Sequence, residues 1–302
     1  MDRLPFVLKS KVISEEYITT TDGAEIVLRR YGNPKGPRLI VSHGNGLAVD
    51  AFHEMWGDLA QDYEVVPLDI RNHGRNPLHY IKNHTQEMMV EDLRTILRTL
   101  ESRFGAAPTS GLFHSISGVI ALRLAVSQAY RFASLVLLEP PLQPPISHPL
   151  YEEQNSIQRM LVEGAIRRRS EFQSIEEFVS RMRPRDAFTL INEARLRGLA
   201  QAILRPLHDD RYILACPPEF EAKIYETNVD AGLWGKLPEI DFPVLVMASE
   251  DNSLRKKIAV ELTNIAGFRF LPISDVSHLM PLERPKDIAQ RADEFFQATV
   301  GA

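Results

Sequence analysis

Six short, mostly apolar runs, five of them stopping at a loop rich in Gly, His, Asp or Ser, leave this chain few ways to fold. They are Arg38 to Ser42, Tyr63 to Leu68, the run leading to His114, Ala133 to Leu138, Phe242 to Met247 and Phe268 to Leu271. Such runs read as strands buried in a parallel sheet. Helical segments separate them: Ala51 to Ala60, Val119 to Ala129, Leu254 to Ala266, and Thr85 to Phe104, whose Met88, Met89, Leu93, Ile96, Leu97 and Leu100 recur at helical spacing. Strand and helix in alternation require right-handed crossovers, which put helices on both faces of the sheet. The expected class is therefore α/β with a mostly parallel central sheet. Residues 15–31 read as a hairpin turning at Thr21-Asp22-Gly23, and Ile288 to Thr299 reads as a closing helix. Between Pro141 and about Pro238 the strand signals stop and the chain reads as helical and rich in charge. The expected division is a core from 1–140 and 239–302 with a helical cap inserted over 141–238.

Composition narrows the function classes. A chain of 302 residues, 44% hydrophobic, can bury a large core. A net charge of -5 lacks the basic excess a nucleic-acid partner would require. No stretch of about 18 apolar residues offers a membrane span, and Met1 to Val12 has no apolar run that would make a secretory signal. The single cysteine, Cys216, excludes an internal disulfide and fits a reducing compartment, hence the cytoplasm. His43, His53, His73, His79 and His84 are scattered without metal-ligand spacing, so no metal is expected, nor any other cofactor.

The chemistry centres on Leu112-Phe113-His114-Ser115-Ile116-Ser117-Gly118. A serine on a sharp turn between a strand and a helix is held above the sheet edge. There the N–H groups and positive end of the helix face any anion that forms. The plain alternative is that Ser115 only caps the helix, as most serines in that position do. Sliding the frame to Ser117 is a second alternative, with Val119 then crowding the far side of the turn.

Four segments, each at an expected strand end and in the right order, make the chain resemble the α/β-hydrolase family over nearly its whole length. His43-Gly44-Asn45-Gly46 is similar to the family's oxyanion loop, and Asp69-Ile70-Arg71-Asn72-His73-Gly74 to its Asp-Xaa-Arg-Gly-His-Gly turn. His114-Ser115-Ile116-Ser117-Gly118 is similar to its nucleophile elbow, and Ser277 to Pro285 to its histidine loop. The resemblance implies Ser115 as nucleophile, His278 as the base that later activates water, and the backbone N–H groups of Asn45 and Ile116 as the oxyanion hole. Asn45, acting there through its main chain, would keep its side chain for substrate. Gly44 and His114 would border the substrate, with His73 and His114 also packing the loops around the site. One departure stands out: Phe113 occupies a place where the family has a small residue, so the turn is expected to be crowded.

The acid that holds the His278 imidazole has two candidates. The usual place follows Val244 to Met247, where a gapless count sets the family's aspartate on Asn252, one position beyond Asp251. Some members carry the acid after the strand that follows the elbow helix, which here is Glu139. A carboxylate ending an apolar strand needs a partner to be there at all. In the cap, Arg167, Arg168, Arg169, Arg181, Arg183 and Arg185 could meet an acidic substrate. Glu163, Glu171, Glu176 and Glu177 interleave with them, which favours a solvated helix face. Leu161, Phe172, Phe178, Met182 and Phe188 are expected mostly to pack the cap onto the sheet, and Trp56 and Trp234 to sit in the core.

The expected function is a serine hydrolase cleaving an ester, thioester or lactone of a small organic acid. The alternatives are C–C bond hydrolysis or lyase chemistry on the same fold, or a non-catalytic ligand-binding member. Expected partners are a small-molecule substrate, with neither nucleic acid nor membrane.

Overall fold

A computed structural model describes residues 12–251 and 253–300. Most of the Met1 to Val12 stretch, and Asn252, therefore lie outside the described residues. The chain opens with strands β1 (Val12–Thr19) and β2 (Glu25–Gly32), an antiparallel hairpin, then β3 (Arg38–Ser42), helix α1 (His53–Leu59) and β4 (Glu64–Leu68). Helix α2 (Gln86–Phe104) leads to β5 (Thr109–His114), α3 (Ile116–Val126) and β6 (Leu135–Leu138). Next come α4 (Tyr151–Ile166), β7 (Glu171–Phe172), α5 (Ile175–Met182), α6 (Glu193–Ile203), β8 (Leu204–Pro206), β9 (Tyr212–Leu214), α7 (Pro218–Glu226) and α8 (Leu233–Lys236). The chain ends with β10 (Val244–Ser249), α9 (Leu254–Ala266), β11 (Arg269–Ile273), α10 (Met280–Glu283) and α11 (Pro285–Val300).

Eight strands form one sheet in the order β1-β2-β4-β3-β5-β6-β10-β11. From β4 to β11 every neighbouring pair is parallel; β2 pairs antiparallel with both β1 and β4, so it alone runs against the other strands. Strands β3, β4, β5, β6 and β10 are buried along their whole length, which explains the largely apolar runs of β3, β4, β6 and β10. Two apolar clusters divide the interior. One holds Ile96, Phe113, Ile120 and Leu137, and the other Trp56, Leu112, Val136 and Phe296. Residues 112 and 113, adjacent in β5, serve opposite faces, as the two-residue period of a strand requires. Several helix starts are written locally: Thr85, Ser174, Asn192 and Ser253 each accept a backbone N–H three residues on.

The segment between β6 and β10 departs from the helical reading in one respect. It contains a second, three-stranded antiparallel sheet in the order β7-β9-β8. Its strands are two or three residues long, too short to leave an alternation in the sequence. Trp56 and Trp234 are both buried in the apolar clusters.

The crowding expected of Phe113 is absorbed two residues earlier. Positions i and i+2 of a strand share a face, and the Phe113 ring leans back over Gly111. A Cβ there would lie 2.2 Å from Phe113 Cε2 and 2.7 Å from Leu135 Cδ2. The ring is packed edge-on against Phe132 and is 1% exposed, so it has nowhere to retreat. Gly111→Ala is therefore expected to cost about 1–3 kcal/mol by overpacking. Pairing it with Phe113→Leu should recover part of the loss in urea unfolding. Costs that simply add would show the ring does not depend on that glycine.

Candidate active site

The loops that carry chemistry all leave the carboxyl ends of parallel strands, where α/β sheets place their sites. Ser115 sits between β5 and α3 with φ 56° and ψ -126°. Two backbone bonds clamp this left-handed conformation: Ser115 N–H donates to Leu138 O at 2.8 Å, and Gly118 N–H donates to Ser115 O at 2.9 Å. A side chain in that region is costly, and here the packing of β5 against β6 imposes it. Ser117 is committed elsewhere. Its hydroxyl donates to His114 O at 2.8 Å, and the residue is 3% exposed.

The oxyanion-loop segment passes directly against the elbow. A Cβ on Gly44 would lie 2.9 Å from Ser115 Cβ and 3.0 Å from His114 Nδ1, so only glycine allows this approach. Gly46 has φ 71°, and its N–H donates to His73 Nε2 at 3.0 Å. The Asn45 side chain, expected to be kept for substrate, is committed at its amide nitrogen. Its Nδ2 donates to Glu221 O at 2.8 Å, tying the loop to α7, while its Oδ1 is buried without a partner among the described residues.

Three side chains that are distant in sequence meet at this edge. His278 Nε2 lies 3.1 Å from Ser115 Oγ, and His278 Nδ1 lies 2.8 Å from Glu139 Oε2. Glu139 is 2% exposed, and its other oxygen accepts the Ser249 N–H at 2.9 Å. Burial alone would raise its carboxyl. The hydrogen bond and charge of His278, the Ser249 N–H and the charge of Arg255 outweigh burial and hold it below the usual carboxylate range. An ionised carboxylate only accepts, so Nδ1 of His278 carries a proton and Nε2 is left to accept from the Ser115 hydroxyl.

Asp251, the other acid candidate, is not among the groups that reach His278. It is exposed, and its Oδ1 accepts the Ser253 N–H at 3.2 Å, in the turn that opens α9. At the end of β10, the partner of Glu139 is a backbone N–H rather than a side chain.

Four buried histidines hold the loops, none of them through a positive charge. His43 donates from Nδ1 to Gly44 O at 2.7 Å and accepts the Ile70 N–H at Nε2. His73 donates from Nδ1 to Arg71 O and accepts Gly46 N–H at Nε2. His114 donates from Nε2 to His278 O at 2.8 Å, joining the elbow to the histidine loop. His84 receives the Asn72 amide at Nδ1. Burial, the largest cause, pushes His43 down to about 4 and His73 to about 3, and drives His114 well below the ordinary value.

For His43 and His73 the sign of the pH effect is fixed by these lowered values. Between about pH 6.5 and 4 the unfolded chain binds protons that the folded chain refuses, so stability falls as pH falls. From pH 7 to pH 5 each is expected to cost about 2 kcal/mol, about 4 for the pair. Denaturant unfolding at the two pH values measures it. A flat result would mean these rings are protonated in the folded protein.

Among the described residues, the ligand atoms of His73, His84 and Cys216 lie within 4.8 Å of one another and are all buried. Both nitrogens of His73 already serve the backbone of the loops. His73 and His84 were read as non-ligands. The grouping with Cys216 had no signal in the sequence, since more than 130 residues separate them.

The cavity over Ser115 has a volume of about 560 Å³. Gly44, Asn45, His114, Ser115 and His278 line it on the sheet side. Leu161, Phe178, Met182 and Phe188 line it from the segment between β6 and β10, while Phe178 and Met182 also belong to the second apolar cluster and Phe188 packs against it. Phe172 lies edge-on to Phe178 in the interior. Among the described residues no helix is long and apolar enough to cross a membrane.

The sequence profile of the alpha/beta hydrolase family matches residues 39–291. None of the curated proteins compared matches the chain. Among solved structures, E-2-(acetamidomethylene)succinate hydrolase superposes with a TM-score of 0.77 at 14% identity, over 94% of this chain and 99% of that one. An esterase from Mycobacterium tuberculosis gives 0.74 at 17% identity, over 95% and 92%. A thermophilic esterase from Thermogutta terrifontis gives 0.67 at 22% identity, over 95% and 99%. At such identities these three likenesses speak of the fold alone. The profile match extends over most of the sequence, and by it the chain belongs to the alpha/beta hydrolase family.

Proposed function

We propose that the protein is a serine hydrolase that opens an ester, thioester or lactone of a small organic substrate through an acyl-enzyme on Ser115. The observation that carries this reading is the pair of contacts in one cavity, Ser115 Oγ to His278 Nε2 at 3.1 Å and His278 Nδ1 to Glu139 at 2.8 Å. Ser115 Oγ attacks the carbonyl carbon as its proton passes to His278 Nε2. Glu139 holds the ring in the needed tautomer and stabilises the imidazolium. The carbonyl oxygen, now negative, faces the N–H groups of Asn45 and Ile116, and losing one such donor costs about 2.7–4 kcal/mol in comparable enzymes. The imidazolium then protonates the leaving group. A water deprotonated at Nε2 releases the acid and restores Ser115.

In this reading the segment 141–238 is a cap that shapes the acyl pocket. The lone buried thiol supports a reducing, cytoplasmic setting. Esterases and a thioesterase domain are among the structures of similar fold, which is compatible with acyl transfer. A fluorophosphonate probe tests the proposal: labelling on Ser115, together with turnover of short nitrophenyl esters, is the expected result. Labelling without turnover would favour the lyase-type alternatives. No labelling, with tight binding of a small ligand, would favour a receptor.

A further inference from the structure

Three guanidinium groups line the cavity that holds Ser115 and His278. Arg167 and Arg168 stand at the C-terminal end of α4, and Arg185 follows α5 by three residues. Against them, Glu221 is the one lining residue that brings a carboxylate. The charges do not cancel. Arg168 takes up Glu221 at 2.5 Å, and Arg167 meets Glu163 at 3.5 Å with both side chains well exposed. Arg185 has no ion pair or side-chain hydrogen bond among the described residues. Elsewhere the interleaved charges behave as a solvated face would: Arg169 pairs with Glu177, and Arg197 with Glu176. Arg185 instead keeps its fork of donors free of protein partners among the described residues, at a pocket whose nearby wall includes Leu161, Phe178, Met182 and Phe188.

Arg168 is also fixed in place. Its Nη1 lies 2.8 Å from where a Cβ on Gly46 would be, so the Arg168–Glu221 pair is packed against the oxyanion loop. The cavity thus presents a neutral ion pair next to the reacting end and one guanidinium without an ion pair on the cap wall.

Resting on the serine-hydrolase reading, we infer that the pocket selects acyl substrates carrying a second, free carboxylate, which Arg185 binds. A guanidinium fork matches a carboxylate in plane and spacing. Apolar walls screen the attraction less than open water would.

The test compares 4-nitrophenyl valerate with the mono-4-nitrophenyl ester of glutaric acid, which have the same number of acyl carbons. At low salt the glutarate ester is expected to have the higher kcat/KM by about twofold to fivefold, the scale of one exposed ion pair. Arg185→Gln should remove most of that preference, as should about 0.5 M salt. Arg185 is exposed, so the variant is expected to keep its melting temperature. Equal kcat/KM for the two esters would overturn the anion site and leave the esterase reading standing. A preference that Arg185→Gln does not touch would overturn the assignment to Arg185. Turnover of neither ester would sink the esterase reading, and calorimetry with glutarate and valerate would then decide the anion site alone. Tighter binding of glutarate, weakened in Arg185→Gln, supports it, and equal binding overturns it.

Discussion

Ser115→Ala is expected to lower kcat for a short nitrophenyl ester by about 10⁶, leaving only the rate that the pocket and its N–H donors can support. Ser117→Ala should keep most of the activity. The two serines lie two positions apart on the same turn, and their surroundings separate them. Ser115 points its hydroxyl at an imidazole nitrogen, whereas Ser117 donates to His114 O. Replacing His278 by alanine should cost about as much as replacing Ser115, because a nucleophile without its base gains little from being well placed. The double variant should then be scarcely worse than either single one. Steady-state kinetics with burst-phase controls measures all of these. If Ser117→Ala proved as damaging as Ser115→Ala while still folded, the assignment of the nucleophile would have to move.

Glu139→Gln should lower kcat by about 10⁴ while leaving the fold intact, since an amide of the same size can still fill the site. It can still accept the Ser249 N–H but cannot stabilise an imidazolium, and it can turn its NH₂ group toward Nδ1 and select the wrong tautomer. Asp251→Asn should stay within about threefold of the parent, because that carboxylate faces solvent and serves the turn before α9. Acid should also act through Glu139. Its folded value is depressed, so its contribution to stability is present above the ordinary carboxylate range and is lost as pH falls through the lowered value. Equal losses in the two variants would remove the distinction the geometry draws between them.

Much of the fold could be read directly because its determinants are local. A strand buried on both faces reads as a largely apolar run, and β3, β4, β6 and β10 do, with polar residues only at their ends. Helix α9 was expected over Leu254 to Ala266 and spans those residues, with Ser253 at its start and Gly267 in a left-handed conformation at its end. The choice between Glu139 and Asp251 was not local. Glu139 reaches His278 across 139 positions, and a count along β10 has no means of measuring that distance. The tie from Asn45 Nδ2 to Glu221 O had no local signal for a similar reason, since that partner lies 176 residues away on α7. The accommodation of Phe113 did have a signal, the glycine two residues before it, legible to anyone asking which neighbour on the same face could make room. The β7-β9-β8 sheet left no trace, because strands of two or three residues pair through partners that the intervening charged helices conceal.

The bond from Asn45 Nδ2 to Glu221 O has a mechanical meaning. The turn that would receive the carbonyl oxygen hangs from the same short helix whose Glu221 anchors Arg168, so pocket wall and reaction centre share a single hinge pin. Whatever jostles residues 218–226, whether a bulky guest, a nearby insertion or a crosslink, is transmitted to that turn without crossing the sheet. Efforts to widen this pocket would therefore do better to carve at α5 and leave α7 alone.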